Sequence, residues 1–200
     1  MDLTLYKALN GFAAQHDGFE DVLRFFAEDA QYLFVALLAG LFLAAGKWRS
    51  ITARHGVVAA GFSALLALGI AHVIAELWDR ARPYDAHPAS AHLFVPPSGD
   101  PSFPSDHATA AFAIAVAIWL RSPKAGWVAL AMATVVAVAR VAVGVHYPSD
   151  VIGGAVIGAA SALLLWLPPV RRPLHALAEW AGSVYERLLD KLLRRQPSTA

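Results

Sequence analysis

The chain contains no cysteine, which excludes a disulfide framework and any thiolate metal site. It is also poor in charge: Asp, Glu, Lys and Arg make up 16% of its 200 residues, where a water-soluble domain carries about a quarter. Carboxylates are not clustered as a Mg²⁺ site needs, and the histidines lack zinc-ligand spacing, so neither a metal nor another cofactor is expected. Basic residues are neither numerous nor interleaved with aromatics, which argues against a nucleic-acid partner. The start of the chain lacks a positive segment followed by a short apolar core and a small-residue cleavage site, so a cleaved signal peptide is not expected.

What is present instead is apolar sequence, 58% of the residues, with a mean hydropathy of +0.50. It is gathered into long runs. A helix needs about 20 apolar residues to cross the hydrocarbon of a bilayer, and five runs qualify or nearly so: 30–46, 56–75, 104–120, 125–143 and 151–167. The third and fifth are short, about 25 Å at 1.5 Å per residue. The expected architecture is all-α: a single membrane-embedded domain over 1–200, a bundle of five or six spans with an amphipathic helix at each end. At the amino end, in 1–29, Leu3, Tyr6, Leu9 and Phe12 recur at helical spacing. At the carboxyl end, 171–200 combines apolar and basic residues as an interfacial helix does, and a solvated end with no special task fits it equally well.

Five spans sort the connecting segments onto two sides. One side carries Lys47, Arg49, Arg54, Arg121, Lys124, Arg171, Arg172, Arg187, Lys191, Arg194 and Arg195; the other carries only Lys7, Arg24, Arg80 and Arg82. Positive residues accumulate in cytoplasmic loops, so the first set is expected inside and the second outside. Arg140 lies within a span.

The outer side collects the chemically capable residues. In PSFPSDHATAAF, Pro104, Ser105 and Asp106 suit the first turn of a helix, and plain capping accounts for them. Capping does not account for His107. A helix start also offers free N–H groups to an anion, which points to a phosphate seat with an acid beside it. Arg140 is costly in a bilayer unless it snorkels or faces a partner inside the bundle. In HYPSDVIGG, Asp150 falls in the first turn of the fifth span, from where a carboxylate reaches back to His146, fixing its tautomer and raising its nucleophilicity. Taken alone, that spacing is better read as a His and an Asp in an ordinary loop. Arg82, before Pro83, is by itself an interface anchor. Loop histidines 87 and 92 are best read as solvent-exposed, and the 84–103 segment as a cover for the site. Together, Arg82, Arg140, His107, His146, Asp150 and a helix start suit metal-free phosphoryl transfer, in which positioning and charge stabilisation do most of the catalysis.

Arg82-Pro83, PSDH at 104–107 and AR-x5-H-x3-D from Ala139 to Asp150 resemble, in order and spacing, the three motifs of the type 2 phosphatidic acid phosphatase superfamily. The resemblance covers most of the chain, and SFPSDHAT is most similar to the bacitracin-resistance branch, the undecaprenyl-diphosphate phosphatases. It implies that His146 is the nucleophile, that Asp150 orients it, and that His107 protonates the leaving oxygen and later activates water. It implies that Arg82, Arg140 and Ser105 hold the phosphoryl oxygens; Asp106 adjoins this phosphate seat, where an acid repels phosphate unless its carboxylate turns away. The implied substrate is an isoprenoid diphosphate lipid, met at the outer face of a bacterial plasma membrane. Phosphatidylglycerophosphate or phosphatidate are alternative substrates; a non-catalytic lipid-phosphate binder or transporter and a vanadium haloperoxidase are alternative readings. Three positions depart from the family pattern. Its lysine seven residues before the arginine is Ala75, leaving Arg80 as a candidate substitute. Its glycine before the histidine is Asp106, and its serine before the second arginine is Ala139.

Overall fold

The computed structural model describes residues 1–47 and 51–194. In chain order these form α1 (Asp2–Ala14), a 3-10 turn at Asp17–Phe19, α2 (Glu20–Arg24), a π turn at Phe25–Asp29, α3 (Ala30–Lys47), α4 (Ile51–Leu77), the short α5 (Pro83–Ala86), α6 (Asp106–Trp119), α7 (Pro123–Ala142), α8 (Pro148–Trp166) and α9 (Pro168–Arg194). No strand occurs among the described residues. Four stretches are long and apolar enough to cross a membrane: Glu20–Ala44, Arg54–Leu77, Pro123–Ala142 and Pro148–Trp166. Their outward faces carry Leu65, Val73, Val128, Ile152 and Val156 exposed, as lipid-facing surfaces do. This is a membrane protein.

The third expected span is α6, shorter than the 104–120 run. Ser105 has extended backbone (φ −75°, ψ 114°) and is the N-cap. Pro104 therefore precedes the helix, behind a cis Phe103–Pro104 peptide, rather than lying in its first turn. The 14 residues of α6 span about 21 Å. They tolerate this because α6 is the hub of the bundle, enclosed by α4, α7 and α8 with Ala108, Ala111, Ala113, Ala115 and Ala117 buried. Its ends lie against protein.

Small side chains bring these helices together. Lipid tails give no hydrophobic drive between spans, so close backbone approach supplies the attraction. On α8, a Cβ at Gly154 would lie 2.7 Å from the Ser105 carbonyl oxygen, and one at Gly158 would lie 2.4 Å from that of Thr109. Neither contact can be relieved by rotating a side chain. Gly158→Ala should therefore push α8 off α6 and destabilise the fold by about 1–3 kcal/mol. Thermal unfolding in detergent checks this; an unchanged midpoint would mean the two helices are not so closely joined.

The 1–29 segment is divided. Residues 20–29 continue into α3, and only α1 is a separate helix. Its Tyr6, Asn10 and Ala13 are buried against the bundle while Leu5, Leu9 and Phe12 are exposed. Thus Leu9 and Phe12 face outward as expected, but Tyr6 faces protein. At the other end of the bundle α9 crosses the start of α4: Arg54 pairs with Glu186 at 2.7 Å, and Phe42 meets Tyr185 with ring centroids 5.8 Å apart. Tail residues 195–200 lie outside the described residues.

Candidate active site

The end of α4, the start of α6, the end of α7 and the start of α8 meet at the end of the bundle away from α9. The α7–α8 connection is the tightest part. Gly144 has φ +93°, a left-handed conformation. A Cβ there would also lie 2.4 Å from the His92 carbonyl oxygen. Glycine is required twice over. Pro148 opens α8 with Tyr147 as N-cap, and the Asp150 side chain caps the Tyr147 N–H at 2.7 Å.

His146 stands in this connection, 2% exposed. Its Nδ1 donates to the Ser102 carbonyl oxygen at 2.8 Å, and its Nε2 lies 3.4 Å from Arg140 Nη2. The carbonyl can only accept, so the ring proton belongs on Nδ1 and the lone pair on Nε2. Burial pushes the imidazole down to about 4; the Asp150 carboxylate opposes this, and the charges of Arg140 and Arg82 reinforce it. At neutral pH the ring is uncharged, with Nε2 turned toward the arginines.

Asp150 reaches His146 less directly than expected. Its Oδ2 is 3.7 Å from Nδ1, an ion-pair distance beyond hydrogen bonding. Stronger donors have taken the carboxylate: Arg80 Nη1 at 2.5 Å on Oδ1, Ser102 Oγ at 2.6 Å and the Tyr147 N–H at 2.7 Å on Oδ2. Asp150 therefore holds Ser102 by its hydroxyl while Ser102 holds His146 by its carbonyl. The Ser102 N–H in turn donates to the Arg80 carbonyl at 2.8 Å.

Arg82 is buried and committed to the loop beside it. Its Nε and Nη2 donate to the Asp100 carbonyl and carboxylate at 2.9 and 2.8 Å, and Nη1 to the Val145 carbonyl at 3.1 Å. An acid thus sits on the guanidinium fork. Arg140, also buried, donates from Nη1 to the Ala27 carbonyl at 3.0 Å, and its Nε finds no partner among the described residues. Ala27 belongs to the π turn, a form of helical irregularity frequent at functional sites.

Ser105 is fully buried; its N–H donates to the Asp150 carbonyl at 3.1 Å, and its hydroxyl has no partner among the described residues. His107 lies within electrostatic reach of Arg140, His146 and Arg82. Asp106 is exposed on the first turn of α6, within electrostatic reach of Asp100, Arg82 and Arg140. Asp106 and His107 line one end of a groove of about 350 Å³ that runs among Phe34 and Leu38 of α3, Leu68 of α4 and Ile114 of α6. The groove is apolar apart from Gln31 and the two residues at its head.

The structure brings Arg82, Arg140, His107, His146 and Asp150 into one site. It does not bring Arg80 there as a substitute for the lysine replaced by Ala75. Arg80 faces the other side of Asp150, where it pairs with Asp2 at 2.7 Å and covers the Tyr147 ring at 4.3 Å. Sequence reasoning missed Ser102, Ala27, Asp100 and Asp2. Ala27, and Ser102 toward His146, act through backbone carbonyls, which leave no mark on residue type.

A model of the PAP2 superfamily matches residues 56–173, more than half of the chain. The chain belongs to the PAP2 superfamily. Over 196 residues this PAP2 protein is 29% identical to the undecaprenyl-diphosphatase BcrC of Bacillus subtilis, covering 98% of this chain and 97% of the relative. It is 28% identical over 196 residues to the bacitracin transport permease protein BcrC of Bacillus licheniformis, covering 96% and 91%. Among solved structures, Aquifex aeolicus LpxE shares the fold, with a TM-score of 0.61 and 23% identity over 82% of this chain and 93% of that one. The PAP2 protein described here is a membrane lipid phosphatase.

Proposed function

We propose that this PAP2 phosphatase hydrolyses undecaprenyl diphosphate to undecaprenyl phosphate and inorganic phosphate, at the outer face of a bacterial plasma membrane. The observation that carries the reading is the His146 tautomer: with Nδ1 donating to Ser102, the Nε2 lone pair is left beside Arg140. In the first step Nε2 bonds to the terminal phosphorus and the bridging P–O bond breaks. His107, protonated beside the bound anionic diphosphate, gives that proton to the departing lipid phosphate. In the second, water attacks the phosphohistidine, the P–N bond breaks, and His107 accepts the proton of the water. Inorganic phosphate leaves and His146 is restored.

Arg82, Arg140 and the free Ser105 hydroxyl hold the phosphoryl oxygens, supplying charge where it builds up in the transition state. Substrate displaces the Asp100 carboxylate from Arg82. The groove running away from His107 takes the proximal part of one isoprenoid chain, the remainder lying in the bilayer. The near full-length relation to an undecaprenyl-diphosphatase supports this substrate. The excess of basic residues at the opposite end supports the sidedness.

The test is phosphate release by purified protein, with EDTA present, from undecaprenyl diphosphate, phosphatidylglycerophosphate and phosphatidate side by side. The diphosphate should give the highest kcat/KM. A strong preference for either glycerolipid would defeat the assignment.

A further inference from the structure

Beyond the motif residues, one network remains unused by the reaction just described. Arg80 Nη1 donates to Asp150 Oδ1 at 2.5 Å and to Ser149 Oγ at 2.7 Å; its Nη2 donates to Asp2 Oδ2 at 2.7 Å. Asp2 also accepts the Ser149 N–H at 3.0 Å and the Ser149 hydroxyl at 2.6 Å. Ser149 lies between Pro148 and Asp150 in the first turn of α8, where backbone N–H groups have no partner within the helix. A carboxylate from α1 therefore caps the helix that carries Asp150, and the same carboxylate grips the guanidinium that holds Asp150 from behind.

The rest of α1 is arranged to keep Asp2 there. Asp2, Tyr6 and Asn10 follow one another at four-residue intervals and so share a face. Tyr6 is fully buried, its ring centroid 5.7 Å from that of Tyr147. Asn10 Nδ2 donates to the Ala142 and His92 carbonyls at 2.8 and 2.7 Å, and its Oδ1 accepts the His92 N–H at 2.9 Å. One helix face thus grips the end of α7, the turn through Gly144 and the beginning of α8, bracketing His146. Burial works to raise the Asp2 carboxyl, but the Ser149 hydroxyl, Arg80 and the Ser149 amide together hold it below its ordinary value. It is ionised at neutral pH.

We propose that Asp2 is a positioning residue: acting through Arg80 and Ser149, it fixes the Asp150 carboxylate and hence, through Ser102, the orientation of the His146 ring. The catalytic consequence rests on the function proposed above; the structural coupling does not. The Asp2–Arg80 pair is partly open to solvent, with side chains 31% and 24% exposed, and such pairs add little to folding. The bond is better placed to set geometry than to hold the fold together.

The experiment compares wild type with Asp2→Asn, Asp2→Glu and, as a control on the exposed face of α1, Lys7→Gln. It has two readouts: steady-state kinetics with undecaprenyl diphosphate, and the His146 Nδ1–H resonance in ¹⁵N-histidine-labelled protein. Asp2→Asn should lower kcat by about ten- to a hundredfold, the scale of a misplaced reacting group, with KM and the thermal midpoint nearly unchanged. It should also weaken or shift the Nδ1–H signal. Asp2→Glu should restore much of both, and Lys7→Gln should match wild type. Full kcat and an unaltered Nδ1–H signal in Asp2→Asn would overturn the proposal. If the signal responds as expected while wild-type protein releases no phosphate, the coupling stands and the functional reading falls.

Discussion

On the proposed mechanism, His146→Ala should lower phosphate release from undecaprenyl diphosphate by on the order of 10⁴-fold or more, because no other group among the described residues is placed to take over covalent catalysis. The neighbouring groups offer no substitute. His107 lines the head of the groove, Asp150 is consumed by three donors, and the Ser105 hydroxyl hydrogen-bonds to no base among the described residues. Removing a fully enclosed ring also leaves a cavity, so His146→Gln, which fills the space without a nucleophilic nitrogen, should be equally inactive. Both variants should still bind the lipid, since Arg82 and Arg140 remain. Purified His146→Gln that turns over at the wild-type rate would remove His146 from the reaction.

The second large effect is at Arg140. Arg140→Gln removes the charge nearest to His146 Nε2, 3.4 Å away, and should lower kcat by on the order of 10²–10³-fold, as loss of a preorganised transition-state donor does. It should also change the pH dependence. The charge of Arg140 helps hold the His146 imidazole down at about 4. In wild type, protonation of His146 should remove activity only as the pH falls toward that value, and kcat/KM reports this ionisation in the free enzyme. With the positive neighbour gone, His146 binds a proton more readily, so the acid limb should move to higher pH. A limb that stays in place, or moves lower, would mean that Arg140 does not face His146 in the working enzyme.

Much of this site was legible because its parts carry their own cost. An arginine in an apolar helix, a histidine at a helix start and a helix opened by Pro148 each need a reason, and the three fall on one side of any bundle with the span order inferred. The apolar runs located the long helices to within a few residues. They overstated α6, because Pro104 and Ser105 adjoin an apolar run yet precede the helix, Ser105 as its extended N-cap. They also cut the first long helix short, because the acidic residues 20–29 look interfacial although the helix continues through them by way of the π turn.

What sequence could not convey was the partner of each group. Asp150 was expected to bond His146 directly. The carboxylate has only so many lone pairs, and Arg80, Ser102 and the Tyr147 amide occupy them at shorter range. Arg80 looked like a replacement for the cation missing at Ala75, since spacing alone cannot say toward which side of a carboxylate a guanidinium turns. Asp2 lies 148 positions from Asp150, and only the docking of α1 brings them to the same arginine. The Ala27 and Ser102 carbonyls are invisible for a simpler reason: every residue has one.

If phosphorus passes through a covalent bond to His146, the stereochemistry at phosphorus records it. Undecaprenyl diphosphate made chiral at its terminal phosphorus with oxygen isotopes and sulfur would be hydrolysed in isotopically labelled water by the purified enzyme. Two successive in-line displacements predict net retention of configuration in the released thiophosphate. Net inversion would mean that water attacks the substrate directly, and that His146 is not the nucleophile.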